Sequence, residues 1–176
     1  MVCAEMGNHV FIITEKPDAA QRIASALDEK GKAKKMENNG VPYYIAKRDK
    51  ELVVVPALGH LYTVAGERSW RNYYPVFGFK WVPRYIVERG ARQIRTWIEA
   101  ISKLAKGADL FIDACDYDIE GSIIGYSILK YACGNKETTS KRMKYSTLTK
   151  EEVEKSYTEA LPHLDFSLIE AGLTRH

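Results

Sequence analysis

DLFIDACDYDIEGSIIG, residues 109–125, starts as an apolar run, breaks into three carboxylates at Asp116, Asp118 and Glu120, and resumes apolar beyond Gly121. Short apolar runs of this kind are buried strands of a parallel sheet. The glycine suits a tight turn from strand into helix. The acids are therefore crowded where a buried strand leaves its sheet. At an effective dielectric of about 20, two like charges ~4 Å apart repel by roughly 4 kcal/mol. Such a cluster calls for a cation or for raised carboxylate pKa values.

Working outward, the chain alternates strand and helix signals. VFIIT at 10–14 is apolar and branched, as a buried parallel strand should be, and ends at Glu15. Pro17 suits the first turn of a helix that carries Ala20, Ile23, Ala24 and Leu27. GKAKKMENNG at 31–40 reads as a loop. PYYIAK at 42–47 and ELVVVP at 51–56 read as strands joined in a hairpin through Arg48-Asp49-Lys50, the second leading to Gly59-His60. A helix is predicted over 91–106 from Ile94, Trp97, Ile98, Ile101, Leu104 and Ala105, stopped by Gly107. Another, over 120–133, is apolar on several sides and so substantially buried. KRMKYS at 141–146 reads as a strand. Thr149 and Glu152 form a capping box for the next helix, and a last helical segment starts at Asp165.

A chain of 176 residues, 45% hydrophobic and 28% charged, fits one domain with an ordinary core. No run reaches membrane-span length and the polar start lacks signal-peptide layout, so an intracellular, cytoplasmic protein is expected. Three cysteines without a CxxC pair argue against a disulfide framework or cysteine zinc site, and Cys115 reads as a buried thiol. The net charge of +3 is too small to declare a nucleic-acid binder, but residues 67–95 carry +5. Arg68, Arg71, Lys80 and Arg84 alternate there with Trp70, Tyr73, Tyr74, Phe77, Phe79, Trp81 and Tyr85. Phosphates and unstacked bases suit such a track. The alternative is a long loop pinned by its aromatics to its own domain or to a neighbour.

Strands alternating with helices predict an α/β fold, a mostly parallel sheet with helices on both faces. Functional groups of such sheets gather beyond the carboxyl ends of the strands. Glu15, His60 and the group Asp116, Asp118 and Glu120 each follow a strand. Converging carboxylates suit Mg²⁺, which takes a few of them, keeps waters and leaves room for phosphate oxygens. Phosphoryl transfer is the chemistry that follows. DYDIEG resembles an EF-hand start, but Ser127 stands where a bidentate glutamate is needed. No GxxxxGK[ST] loop occurs. Taken singly, Glu15 reads as an ordinary exposed acid and His60 as a structural histidine.

Glu15 after an apolar strand, followed by Asp116-x-Asp118-x-Glu120-Gly121, resembles the Toprim (Rossmann-like) fold of topoisomerases, bacterial-type primases and certain nucleases. EKPDAAQRIA at 15–24, GHLY at 59–62, the acidic motif, KRMKYSTLT at 141–149 and EAGLTRH at 170–176 fall in the order seen in type IA DNA topoisomerases. Lys16-Pro17 is more similar to the topoisomerase III branch and its archaeal relatives than to bacterial topoisomerase I. The resemblance implies that Glu15 is the acid/base group at the scissile phosphate and that Lys16 supports the transition-state charge. It implies that Asp116, Asp118 and Glu120 hold Mg²⁺, with His60, Arg68, Arg71, Lys80 and Arg84 expected on the DNA.

The common family motif reads DPDREGE. Here Ile119 and Ser122 stand in place of its arginine and last glutamate, as in archaeal-like members. The resemblance further implies an ATP-independent isomerase, associated with the nucleoid, acting on single-stranded or negatively supercoiled DNA. The family's nucleophilic tyrosine lies in a later domain, and none of the eleven tyrosines here matches it. Residues 1–165 are thus read as the Toprim domain and 166–176 as the start of a linker or helix leading to further domains of the same polypeptide. The chain alone is expected to be inactive. The alternatives are a free-standing Toprim nuclease and a non-catalytic Toprim module that docks DNA or protein.

Overall fold

Strand β1 (His9–Thr14) is buried at every position, and its alternation divides the core. Val10 and Ile12 point to one face of the sheet, Phe11 and Ile13 to the other. A computed structural model describes residues 8–66 and 78–175. On the Ile12 face lies α1 (Pro17–Leu27), opened by Pro17 and burying Ala20, Ile23, Ala24 and Leu27. Beside it packs α5 (Lys150–Thr158), which adds Val153 to the same cluster. The Phe11 face is covered by α3 (Arg92–Ala105), through Ile94, Ile101 and Leu104, and by α4 (Ile119–Ser127). A π-helical turn, Ile128–Ala132, continues α4 and buries Ile128, Leu129 and Ala132.

The six-stranded sheet has the order β2-β3-β4-β1-β7-β8. Here β2 is Lys34–Asn38, β3 Val41–Lys47, β4 Glu51–Pro56, β7 Ala108–Asp113 and β8 Lys141–Arg142. β1 runs parallel to β4 and β7, and β7 parallel to β8, while β2 and β3 form an antiparallel margin. Ile13 is in register with both Val55 and Asp113, so the carboxyl ends of β4, β1 and β7 stand at one edge. The expected α/β architecture, a mostly parallel sheet between helical layers, is the one found. A second sheet pairs β5 (Tyr62–Gly66) with β6 (Phe79–Pro83), and β6 leads into the short α2 (Arg84–Val87). The sequence of that region shows no clean period.

Two expectations need correction. The stretch 31–40, read as loop, contains β2, which pairs with β3 from Lys34↔Ile45 to Asn38↔Val41. The run 141–146, read as a strand, keeps only Lys141 and Arg142 in the sheet. Beyond them Met143 turns into the core beside Val153, and Arg142 exchanges backbone hydrogen bonds with Leu161 on its other side. The last helix, α6 (Phe166–Leu173), packs on α4 so closely that a Cβ on Gly172 would overlap Ile123.

Candidate functional site

Glu15 is the first residue beyond β1, and Asp116 lies three residues beyond β7, the parallel neighbour. Lys16 Nζ donates to Asp116 Oδ2 at 2.5 Å and stands 3.5 Å from Glu15 Oε1. Burial, and next the charge of Asp116, raise the Glu15 carboxyl above its ordinary value, with Lys16 opposing and Asp118 adding to the rise. The Lys16 ammonium is held charged chiefly by its hydrogen bond to Asp116, although its side chain is 60% exposed. The crowding of acids read in the sequence is real, and a cation already stands among them.

The acidic loop is built by its own groups. Asp118 caps α4, its Oδ1 accepting from the Gly121 amide at 2.7 Å, and Ser122 Oγ donates to the Asp118 carbonyl at 2.7 Å. Gly121 is needed for space, because a Cβ there would overlap the Asp116 carbonyl oxygen. Glu120, in the first turn of α4, meets His60 Nε2 through its Oε2 at 2.8 Å. On the other flank, Lys144 Nζ lies 4.1 Å from the centre of the Tyr117 ring. Lys144 also donates to the Tyr117 hydroxyl at 2.9 Å and to Asp165 Oδ2 at 3.1 Å.

Beneath the loop is a residue that the sequence reading passed over. Arg142 is fully buried, with Nη1 3.3 Å from Asp113 Oδ1. Nη1 donates to the Cys115 carbonyl at 2.8 Å and to that of Asp113 at 3.3 Å, while Nη2 donates to that of Asp116 at 2.9 Å. Asp113 Oδ1 also accepts from the Cys115 amide at 3.0 Å. Burial raises the Asp113 carboxyl, with Arg142 the main opposing influence. Gly125 of α4 makes room for that carboxylate, which a Cβ would overlap. The only signal in the sequence was an arginine next to a methionine in an otherwise polar run, KRMKYS.

The structure brings together Glu15, Lys16 and Asp116, places Asp118 within their field, and seats His60 on Glu120. Among the described residues, no three Asp, Glu, His or Cys side chains form a ready-made metal-binding group. The carboxylates are nonetheless hard oxygen donors of the type Mg²⁺ accepts. Arg84 is engaged within the fold: it pairs with Glu88 at 2.7 Å and donates to the His60 carbonyl at 3.0 Å. Lys80 is exposed on β6. Arg68 and Arg71 lie outside the described residues. Cys115, expected within the apolar strand, lies two residues beyond β7 and is a buried thiol whose pKa burial raises. Among the described residues, no helix is long and apolar enough to cross a membrane.

Comparison with known proteins finds relatives along nearly the whole chain. The chain is 46% identical over 168 residues to DNA topoisomerase 1 of Pyrococcus horikoshii, covering 95% of this chain and 24% of that protein. With DNA topoisomerase 1 of Methanocaldococcus jannaschii it shares 47% identity over 168 residues, 94% of this chain and 21% of the relative. With that of Aeropyrum pernix it shares 39% over 165 residues, 93% and 24% respectively. The chain thus spans about a quarter of the length of these relatives. The Toprim domain family matches residues 10–148, from β1 through the acidic loop to the segment after β8. On that match, which covers most of the chain, the chain belongs to the Toprim domain family.

Proposed function

We propose that the chain is the Mg²⁺-binding Toprim domain of a type IA DNA topoisomerase, handling the scissile phosphate of single-stranded DNA while a tyrosine of another domain attacks it. The observation that carries this reading is the meeting of Glu15, Lys16 and Asp116 at the carboxyl ends of two adjacent parallel strands. The high identity to archaeal DNA topoisomerase 1 along nearly the whole chain supports it. Residues 166–176 then lead towards the remaining domains, and the whole enzyme is an ATP-independent isomerase of the cytoplasm and nucleoid.

The residues present fit the metal. A lysine ammonium already lies against Glu15 and Asp116, so positive charge is accommodated there. Asp116 and Asp118 would hold the ion, with Glu120 released from His60 as a third donor. Magnesium ordinarily takes one or two carboxylates and completes its shell with water and phosphate, so a full protein cage is not required. When bound, the ion supplies charge neutralisation at the phosphate oxygens.

Glu15, whose carboxyl is raised, is suited to proton transfer. As general acid, Glu15 would protonate the departing 3′ oxygen as the P–O3′ bond breaks and the tyrosine, its phenolic proton lost to solvent, takes the 5′ phosphate; on religation Glu15 would take that proton back. Lys16 exchanges Asp116 for the phosphate and supports its charge in the transition state. His60 and Lys80, with Arg84 once it is released from Glu88, are the described groups that would contact single-stranded or negatively supercoiled DNA, and Arg68 and Arg71 are assigned to the same contact from the sequence alone.

The test is calorimetric titration of Mg²⁺ into the chain and into Asp116→Asn and Asp118→Asn, alongside a relaxation assay on negatively supercoiled plasmid. Binding that either substitution weakens, with no relaxation by the chain alone, is expected. Absence of Mg²⁺ and Mn²⁺ binding would overturn the metal assignment, and relaxation by these 176 residues would overturn the division of labour between domains. Nicking abolished by Asp116→Asn would point instead to a free-standing nuclease.

A further inference from the structure

We infer that Arg142 is a positioning residue for the acidic loop, acting through the main chain to set where Asp116 stands against Glu15 and Lys16. An arginine is rarely fully buried, and removing its charge from water is costly unless geometry and partners compensate. Among the described residues, the one carboxylate paired with it is that of Asp113, at 3.3 Å. The shorter bonds go to carbonyl oxygens of Cys115 and Asp116, at 2.8 and 2.9 Å. Its guanidinium thus does more than neutralise Asp113. The planar fork spans the chain from the last residue of β7 to the first acid of the motif, which a point-charge ammonium could not do.

The anchorage of Arg142 itself is unusually firm. Its backbone is fixed on both sides, in register with Asp113 of β7 and by paired hydrogen bonds to Leu161. Its guanidinium also lies 5.9 Å from the centre of the Tyr117 ring, so the loop closes over it. Among the described residues, Nε has no hydrogen-bond partner. That loss is tolerated in a position where the two Nη atoms reach three carbonyls, one at the end of β7 and two in the loop, which indicates that the side chain is held for those bonds. The carbonyl of Asp116 is also the atom that a Cβ on Gly121 would strike, so Arg142 and Gly121 hold the same peptide from opposite requirements.

The test compares Arg142→Lys, Asp113→Asn and the double variant Asp113→Asn/Arg142→Met by two readouts. One is amide hydrogen exchange of residues 116–121 in the metal-free chain. The other is Mg²⁺ affinity by calorimetry, which alone rests on the metal-binding reading above. Arg142→Lys is expected to speed exchange of the loop amides relative to the β1 and β4 amides. It is also expected to weaken Mg²⁺ binding at least about tenfold, the usual cost of losing an outer-shell partner of a metal ligand. Asp113→Asn keeps the guanidinium–carbonyl bonds and should leave loop exchange as in the wild type. The double variant removes both buried charges together, so it provides a folded test if Arg142→Lys alone does not fold. Wild-type loop exchange in a folded Arg142→Lys or double variant would overturn the proposal. Faster exchange in a chain that binds no Mg²⁺ would uphold the positioning role and sink the metal assignment instead.

Discussion

Lys16 Nζ lies 2.5 Å from Asp116 Oδ2 although a hundred residues separate the two in the chain. Two adjacent strands bring them together, and the ammonium stands where a metal ion would compete with it. Lys16→Ala should therefore bind Mg²⁺ more tightly than the wild type, by about two- to fivefold, since an exposed ion pair is worth up to about 1 kcal/mol. In a full-length topoisomerase carrying this domain, the same change should lower DNA cleavage. Calorimetry and a single-turnover cleavage assay separate the two effects, and weaker Mg²⁺ binding by Lys16→Ala would contradict the competition.

Glu15 carries a pH signature of definite sign. Its carboxyl is raised by burial and by Asp116, so the folded chain holds the proton more tightly than the unfolded one. Its contribution is most favourable at low pH and declines as pH rises from its ordinary value of 4.5 through the raised folded value. Glu15→Gln should then melt higher than the wild type at pH 7, with the difference vanishing below about pH 4, where both side chains are neutral. Thermal melts across that range provide the check.

Gly121→Ala presses a methyl group on the Asp116 carbonyl, which Arg142 holds from the other side. Overpacking of this kind costs about 1–3 kcal/mol. Urea denaturation should show that loss together with weaker Mg²⁺ binding. A Gly121→Ala protein with wild-type stability would mean that the loop yields more readily than its hydrogen bonds imply.

Asp165 does two jobs that substitution can separate. Its Oδ1 accepts from the Leu168 amide at the start of α6, and its Oδ2 meets Lys144 and the Tyr117 hydroxyl. Asparagine retains a capping oxygen and alanine does not, so Asp165→Ala should be less stable than Asp165→Asn by about 1 kcal/mol. The hydrogen bond from Lys144 leads the influences that lower the Asp165 carboxyl. Its stabilisation is thus complete above its ordinary value of 3.8 and is lost as pH falls through the lowered folded value. Asp165→Asn should flatten the acid limb of the stability curve, measured by urea midpoints from pH 2 to 6.

Much of this framework can be read from residue order because burial leaves strong patterns. The apolar β1 ending at Glu15, the hairpin turn at Arg48-Asp49-Lys50 and the strand–acid–helix passage at 109–125 all stand as the sequence suggests. The capping box is half made: Thr149 caps the Glu152 amide at 3.4 Å, while Glu152 itself accepts from Ser146. Strand β2 escaped notice because a sheet edge tolerates charge, and KKMEN looks like a solvated loop. Pairing of β5 with β6 spans a dozen intervening residues, and no local pattern announces it. Arg142 was invisible for a different reason: composition places arginine outside, and only the tertiary fold wraps carbonyls around it.

The alternation in β1 also works as a ruler. A strand advances about 3.3 Å per residue and turns each side chain to the opposite face. Deleting one residue from VFIIT would draw Glu15 back by that distance and exchange the occupants of the two cores. The span from His9 to Glu15 is therefore fixed in length by geometry, whereas a connection such as the one between α1 and β2 has no such constraint.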